Sequence, residues 1–300
     1  MTDQNSKKIY GLLGRNISYS LSPAMHNAAF DHFNIPAEYV IFDKEPDELI
    51  DFFETEVLTG KISGLNVTVP YKIDVNYMLK KNGWELDEWA RRICAVNTVE
   101  VKEGKLKGYN TDAPGFYDSL LEGWKGINLQ KKEIYVAGAG GAGHAICIYL
   151  AGKIGEKLEL KMNVYDPDVT KLYSLREALV RTKYRLMNFY PIEAAEDIPK
   201  KIKDSVLVIN ATPLGTKEGD PLPIDPACLR EGQVVYDLVY ARETELIKRA
   251  KEKGLITIDG LGMLINQAAM SFNIWTEKPL DEIKEIMKQS ALEELRKRKA

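Results

Sequence analysis

Short apolar runs alternate with amphipathic stretches along most of the chain. Ile9 to Leu13 predicts a strand, and Ser22-Pro23, read as an N-cap with proline at N1, opens a helix reaching about Phe33. Tyr39 to Phe42 is strand-like, and Asp47 to Leu58 carries helical periodicity. Leu65-Asn-Val-Thr-Val alternates with period two and stops at Pro70. A helical Trp89 to Cys94 segment precedes two strand-like runs, Thr98 to Lys102 and one ending at Tyr109, which Glu103-Gly104 joins into a hairpin.

Beyond Asp112 the pattern changes. A helix near Ala113-Pro114 leads into strand-like runs at Ile134 to Ala137, Leu158 to Tyr165, Val206 to Ile209, Val234 to Leu238 and Ile256 to Ile258. Helical segments such as Thr244 to Lys253 separate them. That alternation predicts a parallel sheet with helices on both faces. After Gly260 come an apolar helix, Met263 to Trp275, a proline break and a charged amphipathic helix. The fold class expected is α/β in two domains. Residues 1–112, joined by C-terminal helices 261–300 folding back, form one; residues 113–260 form a doubly wound sheet, and a cleft is expected between them.

The strand at Ile134 runs straight into Gly138-Ala-Gly140-Gly141-Ala-Gly143, a G-x-G-x-x-G followed by a helix-compatible segment. Gly138 permits a tight turn, Gly140 lets a pyrophosphate approach the backbone, and Gly143 lets helix and strand pack closely. The free N–H groups and positive dipole end of the helix suit phosphates. Asp166 ends the second strand of this domain, where a carboxylate accepts hydrogen bonds from ribose hydroxyls. Together these features predict a Rossmann-type dinucleotide site; a purely structural glycine turn is the alternative.

Composition narrows the functional classes. The chain has 300 residues, 45% hydrophobic and 28% charged, and a net charge of −3, which gives no electrostatic reason to expect nucleic acid or an anionic membrane as partner. The first residues, Met-Thr-Asp-Gln-Asn-Ser-Lys-Lys, lack the apolar core of a signal peptide, and no apolar run is long enough to span a bilayer. Cys94, Cys147 and Cys228 stand far apart, which fits a reducing cytoplasm and argues against a cysteine zinc site. His26 and His32 share a helix without sharing a face, so no metal site is expected. His144, opening the helix after the glycines, reads as a capping or surface residue.

Several polar residues sit where purely structural needs explain them poorly. Ser20 and Ser22 crowd a loop before a helix, where hydroxyls either cap the helix or bind a carboxylate. Alternation places Asn66 and Thr68 on one strand face, and Lys72 follows the proline break at that strand's end. Asn97 and the Asn110-Thr111-Asp112 triplet also lie at strand termini, although Asp112 alone reads equally as an N-cap.

Ser20-Leu-Ser22-Pro, Asn66-Val-Thr-Val-Pro-Tyr-Lys72, Ala95-Val-Asn97-Thr, Gly108-Tyr-Asn-Thr-Asp112, Gly138-Ala-Gly-Gly-Ala142, Asn210-Ala-Thr212-Pro and Gly260-x-Gly-Met-Leu-x-x-Gln267-Ala together resemble the shikimate dehydrogenase family, including its quinate/shikimate branch. The matches run in order over nearly the whole chain. The resemblance implies reversible NAD(P)H-dependent reduction of 3-dehydroshikimate to shikimate, on the route to chorismate and the aromatic amino acids. It implies a substrate domain built from both chain ends and a dinucleotide domain between them. Ser20 and Ser22 match carboxylate ligands; Asn66, Thr68, Asn97 and Gln267 match positions holding ring hydroxyls; Tyr240 matches a position near the substrate. Lys72 and Asp112 match the catalytic pair. The glycine turn (Gly138, Ala139, Gly140, Gly141, Ala142) with Asp166, Thr212 and Gly260 matches the cofactor site.

One departure bears on the cofactor. Where many family members end the second dinucleotide strand in Asn-Arg-Thr, with arginine receiving the 2′-phosphate of NADP, this chain has Tyr165-Asp166-Pro167. A carboxylate repels a phosphate, so NAD is expected, with NADP as the alternative through Lys171. The alternatives in function are a quinate/shikimate dehydrogenase acting mainly on quinate, a reductase of an amino-substituted shikimate, and a non-catalytic nucleotide-binding regulatory module. A monomer or homodimer is compatible with all of them.

Overall fold

The computed structural model describes residues 7–155, 159–181 and 188–299. The chain forms two compact units, Met1–Thr111 with Ile265–Ala300, and Asp112–Leu264.

The first unit carries a six-stranded mixed sheet in the order β2-β1-β3-β5-β6-β4. Its strands are β1 (Lys8–Gly14), β2 (Ala37–Asp43), β3 (Ile62–Val67), β4 (Glu85–Leu86), β5 (Thr98–Lys102) and β6 (Lys105–Tyr109). β1 pairs in parallel with β2 and β3, whereas β3–β5 and β5–β6 are antiparallel. The β5–β6 hairpin turns at Glu103 (φ 52°) and Gly104 (φ 73°), the left-handed pair expected of a tight hairpin.

The two sheet faces are buried differently. Leu13, Leu65, Val67 and Val99 pack with Phe52, Phe53, Val75 and Leu79 into a core of mixed aliphatic and aromatic side chains. The opposite face is aromatic: the Tyr10 ring lies 5.0 Å from Phe30 and 5.0 Å from Trp275. Burying one such side chain contributes about 1.5–3 kcal/mol. Helices α1 (Ser22–His32), α10 (Gly260–Thr276) and α11 (Leu280–Lys299) are close to this face, and Ser290 Oγ on α11 donates to Ala24 O on α1 at 2.9 Å.

Three expectations change here. Ser22 does not cap α1: the N-cap is Leu21, and Ser22 is the first helical residue with Pro23 behind it. No side chain caps the helix at Leu21, and the Ser20 hydroxyl oxygen accepts the Ser22 N–H at 3.1 Å across the turn before it. The expected helix over 47–58 divides into a 3₁₀ turn (Pro46–Glu48), α2 (Leu49–Phe52) and a π turn (Phe53–Val57). Finally, Lys72 does not end a strand but opens α3 (Lys72–Lys81), which is followed by α4 (Glu88–Ile93).

The second unit has six strands, β7 (Glu133–Ala137), β8 (Lys161–Tyr165), β9 (Phe189–Pro191), β10 (Leu207–Asn210), β11 (Val234–Asp237) and β12 (Ile256–Ile258), in the order β9-β8-β7-β10-β11-β12. Every pairing is parallel. Numbered within the unit this is 3-2-1-4-5-6, the doubly wound Rossmann order, whose direction switches between β7 and β10. The helices are α5 (Asp112–Gly123), α6 (Gly141–Leu150), α7 (Val169–Arg181), α8 (Ile198–Asp204) and α9 (Glu245–Glu252). Tyr135, Val208 and Val235 pack with Ile202, Leu246 and Ile247 on one face. β8 starts at Lys161, and Leu158 of the expected run lies outside the described residues. No described helix is long and apolar enough to cross a membrane.

Candidate active site

In the first unit the polar residues converge on a single buried network. Asn66 projects from β3 and is 5% exposed. Its Oδ1 accepts from the Tyr39 hydroxyl at 2.8 Å, and its Nδ2 donates to Thr98 Oγ1 at 3.0 Å, Ser271 Oγ at 2.9 Å and Asn97 O at 3.2 Å. Asn97, 2% exposed, donates through Nδ2 to Thr111 Oγ1 at 2.8 Å and to Gln267 Oε1 at 3.4 Å. Its Oδ1 accepts from Thr111 N at 2.7 Å. Thr98 and Ser271 hydroxyls meet at 2.7 Å, and Thr111 donates to the Gln267 carbonyl at 3.1 Å. Each buried polar atom here has a partner, so the cluster is rigid instead of costly. It brings Asn66, Asn97 and Gln267 together although β3, β5 and α10 are far apart in sequence.

Ser20 and Ser22 also lie together, with the Ser20 hydroxyl donating to Ser22 Oγ at 3.1 Å. Thr68 sits one residue past β3, so strand alternation does not extend to it. Its methyl instead packs over Gly14, where an added Cβ would lie 2.6 Å from Thr68 Cγ2. Two main-chain bonds hold the segment leading to Lys72: Thr68 N to Leu13 O and Tyr71 N to Thr68 O, both 2.9 Å. Lys72 is half-buried, and its carbonyl accepts from Val96 N at 2.9 Å, which ties the start of α3 to the Asn97 segment.

In the second unit the glycine loop lies between β7 and α6. Gly138 has φ +97°, a conformation that side chains disfavour, and an added Cβ would meet the Ala211 carbonyl and Thr212 Cγ2 at 3.0 Å. A Cβ at Gly143 would fall 2.0 Å from Gly138 O. Gly140 and Gly141 differ, because beyond their chain neighbours and local helix backbone nothing lies within 4 Å of a Cβ added at either. Gly140 is the N-cap of α6 and makes no side-chain cap bond, leaving first-turn amides for an anion. Open space beside glycines at a helix N-terminus fits a pyrophosphate.

Asp166 is buried, 6% exposed, and accepts main-chain N–H groups at both oxygens: Ala139 N at 2.9 Å on Oδ2 and Asp168 N at 2.9 Å on Oδ1. It therefore anchors the glycine loop. Lys171 Nζ stands 3.6 Å from Asp166 Oδ1 and 3.9 Å from Asp168 Oδ2. Hydrogen bonding to Thr170 holds the exposed Asp168 carboxyl below its usual pKa. Thr212 caps its own turn, donating through Oγ1 to Asn210 Oδ1 at 2.6 Å. Gly260 is fixed by packing, since a Cβ there would meet Leu238 O at 1.9 Å.

The family model described as the shikimate dehydrogenase substrate binding domain matches residues 12–99, and that described as the shikimate 5′-dehydrogenase C-terminal domain matches residues 260–292. A relative from Geobacillus kaustophilus named shikimate dehydrogenase (NADP(+)) is 36% identical, covering 97% of this chain and 100% of its own. The chain belongs to the shikimate dehydrogenase family.

Solved structures agree. The shikimate 5-dehydrogenase of Listeria monocytogenes, in complex with shikimate and NAD, is 31% identical with a TM-score of 0.77 over 95% of this chain and 99% of that one. The quinate dehydrogenase of Corynebacterium glutamicum, in complex with NAD, is 29% identical with a TM-score of 0.80 over 93% and 98%. The protein is thus a nicotinamide-dependent oxidoreductase acting on a CH–OH group.

Set against the family motifs, Asp112 opens α5 half-buried, and Tyr240 is half-buried in the loop after β11. Sequence reasoning named neither Tyr39, Thr98, Thr111 nor Ser271 as members of the polar network. Thr98 and Thr111 stood inside quoted motifs, and Ser271 lies one helical turn after Gln267, donating to its carbonyl at 2.9 Å. Tyr39 carried no local signal. Among the described residues there is no group of three or more His, Cys, Asp or Glu able to hold a metal ion.

Proposed function

We propose that this chain catalyses the reversible NAD(P)-linked reduction of 3-dehydroshikimate to shikimate. The buried network of Asn66, Asn97, Thr111 and Gln267 carries the reading. It sets amide and hydroxyl groups side by side, as a polyhydroxylated ring requires, and a site built this way rejects analogues lacking those hydroxyls. Thr68 borders it, and the serine pair takes the carboxylate.

Residues 1–112 with 261–300 serve as the substrate domain, and residues 113–260 as the dinucleotide domain. Gly138 to Ala142 would hold the pyrophosphate, with Thr212 and Gly260 shaping the same site. When bound, the nicotinamide supplies or accepts the hydride. Lys72 holds the proton at Nζ, stabilises the developing alkoxide and delivers the proton to the oxygen; in oxidation it takes the proton back. Asp112 orients the ammonium and favours its charged form. Tyr240 borders the ring.

NAD is the preferred carrier in this proposal, in contrast to the NADP(+) in the name of the Geobacillus kaustophilus relative. Two carboxylates, Asp166 and Asp168, face one ammonium, Lys171, at the end of β8, so a 2′-phosphate meets net negative charge. Quinate is the second substrate, on the likeness to the NAD-bound quinate dehydrogenase. Three free cysteines fit the cytoplasm as the compartment.

Steady-state oxidation of shikimate and of quinate, each with NAD and with NADP, tests these assignments. Turnover of shikimate favouring NAD supports both. Turnover favouring NADP keeps the reaction and removes the cofactor assignment. Turnover of quinate alone moves the substrate.

A further inference from the structure

Tyr39 lies behind the candidate ligand groups and belongs to none of the family motifs above. It is 2% exposed in the middle of β2. Its backbone is fixed by the amide of Asn27, whose Oδ1 accepts Tyr39 N at 2.8 Å and whose Nδ2 donates to Tyr39 O at 3.0 Å. Its ring is clamped by His26, stacked 2° from parallel with centroids 4.2 Å apart. His26 is fully buried and neither ring nitrogen has a hydrogen-bond partner, so the imidazole acts here as a flat spacer.

The phenol so fixed has one acceptor, Asn66 Oδ1, to which its hydroxyl donates at 2.8 Å. Donation continues from Asn66 Nδ2 to Thr98 Oγ1 at 3.0 Å and Ser271 Oγ at 2.9 Å.

We infer that Tyr39 is a positioning residue that fixes the orientation of the Asn66 amide. An asparagine amide presents an acceptor and a donor of nearly equal shape, and only its partners decide which points where. A phenolic O–H aimed at Oδ1 keeps Nδ2 toward Thr98 and Ser271. The inference rests on the substrate reading above, in which Asn66 belongs to the ring site.

The test is shikimate oxidation by wild type and by Tyr39→Phe, with thermal unfolding alongside. The expected result is a shikimate KM raised about tenfold, with kcat and the nicotinamide KM within about twofold of wild type, because one buried acceptor loses its donor on the substrate side alone. A purely structural role lowers Tm and leaves the shikimate KM in place, and that result overturns the inference. Wild-type protein that does not oxidise shikimate fails the substrate reading instead. For that case, or if Tyr39→Phe does not fold, wild-type protein labelled with 15N-asparagine reads the orientation directly. Asn66 Nδ2 protons with cross-peaks to the Thr98 and Ser271 side chains support the inference, and Nδ2 protons facing the Tyr39 ring refute it.

Discussion

Gly143 packs so tightly under the glycine turn that a Cβ built on it would lie 2.0 Å from the Gly138 carbonyl oxygen. Gly140, three residues earlier, has open space in the same direction. The two glycines therefore separate folding from binding. Gly143→Ala forces main chain against main chain and is expected to destabilise the second unit by about 1–3 kcal/mol or more, read as a lower Tm. Gly140→Ala is expected to leave Tm near wild type and to weaken dinucleotide binding, because only a ligand fills that space. Calorimetric titration with NAD and thermal unfolding on both variants check the contrast.

Lys72 carries the proton in the proposed reaction. Lys72→Ala is expected to lower kcat by about 10²–10⁴, with a modest change in KM for shikimate. Steady-state kinetics decide it. Near-normal turnover in a folded variant removes Lys72 from the chemistry.

His26 predicts an acid-sensitive fold. Burial pushes its pKa down to about 3 in the native protein, while the unfolded chain titrates near 6.5. Between those values the unfolded state binds a proton that the native state refuses, so stability falls as pH drops from about 6.5 toward 3, by at most about 1.4 kcal/mol per pH unit from this group. Burial pushes His144 down to about 4, with Arg181 adding to the shift, so it acts in the same direction. Denaturant unfolding of His26→Phe from pH 7 to 4 is expected to show a shallower loss than wild type, the remaining slope including His144. Equal slopes contradict the assignment.

The strand and helix framework was legible because its signals are local. The period-two run at Leu65 to Val67, the Glu103-Gly104 hairpin and the glycine-led α6 each declare themselves within a few residues. Helix α3 escaped notice because Ile73 and Tyr77 are apolar yet exposed, at 64% and 65%, while polar Asn76 is buried at 5%, which scrambles the helical period. β4 and β9, of two and three residues, are too short to carry a pattern. The motifs marked Asn66, Asn97 and Gln267, but the Tyr39–Asn66 and Asn66–Ser271 bonds join residues 27 and 205 positions apart, which no local reading reaches. Asp166 reads as a ribose ligand from its place at the end of a strand, and that place says nothing of the two amides that occupy it.

In the proposed function, cofactor choice turns on the corner formed by Asp166, Asp168 and Lys171. Asp168 and Lys171 are each 47% exposed, so their ion pair contributes little to stability. Substitutions there report on binding. Asp168→Asn is expected to raise kcat/KM with NADP more than with NAD, and Lys171→Ala to lower it with NADP. A fixed NAD-to-NADP ratio across both variants places the discrimination elsewhere.

The most direct test of the proposed reaction is to incubate the wild-type protein with shikimate and NAD and identify the product by mass spectrometry. The expected product is 3-dehydroshikimate, two hydrogens lighter than shikimate, formed in step with reduced cofactor. Folded protein that returns shikimate unchanged with both NAD and NADP would contradict it.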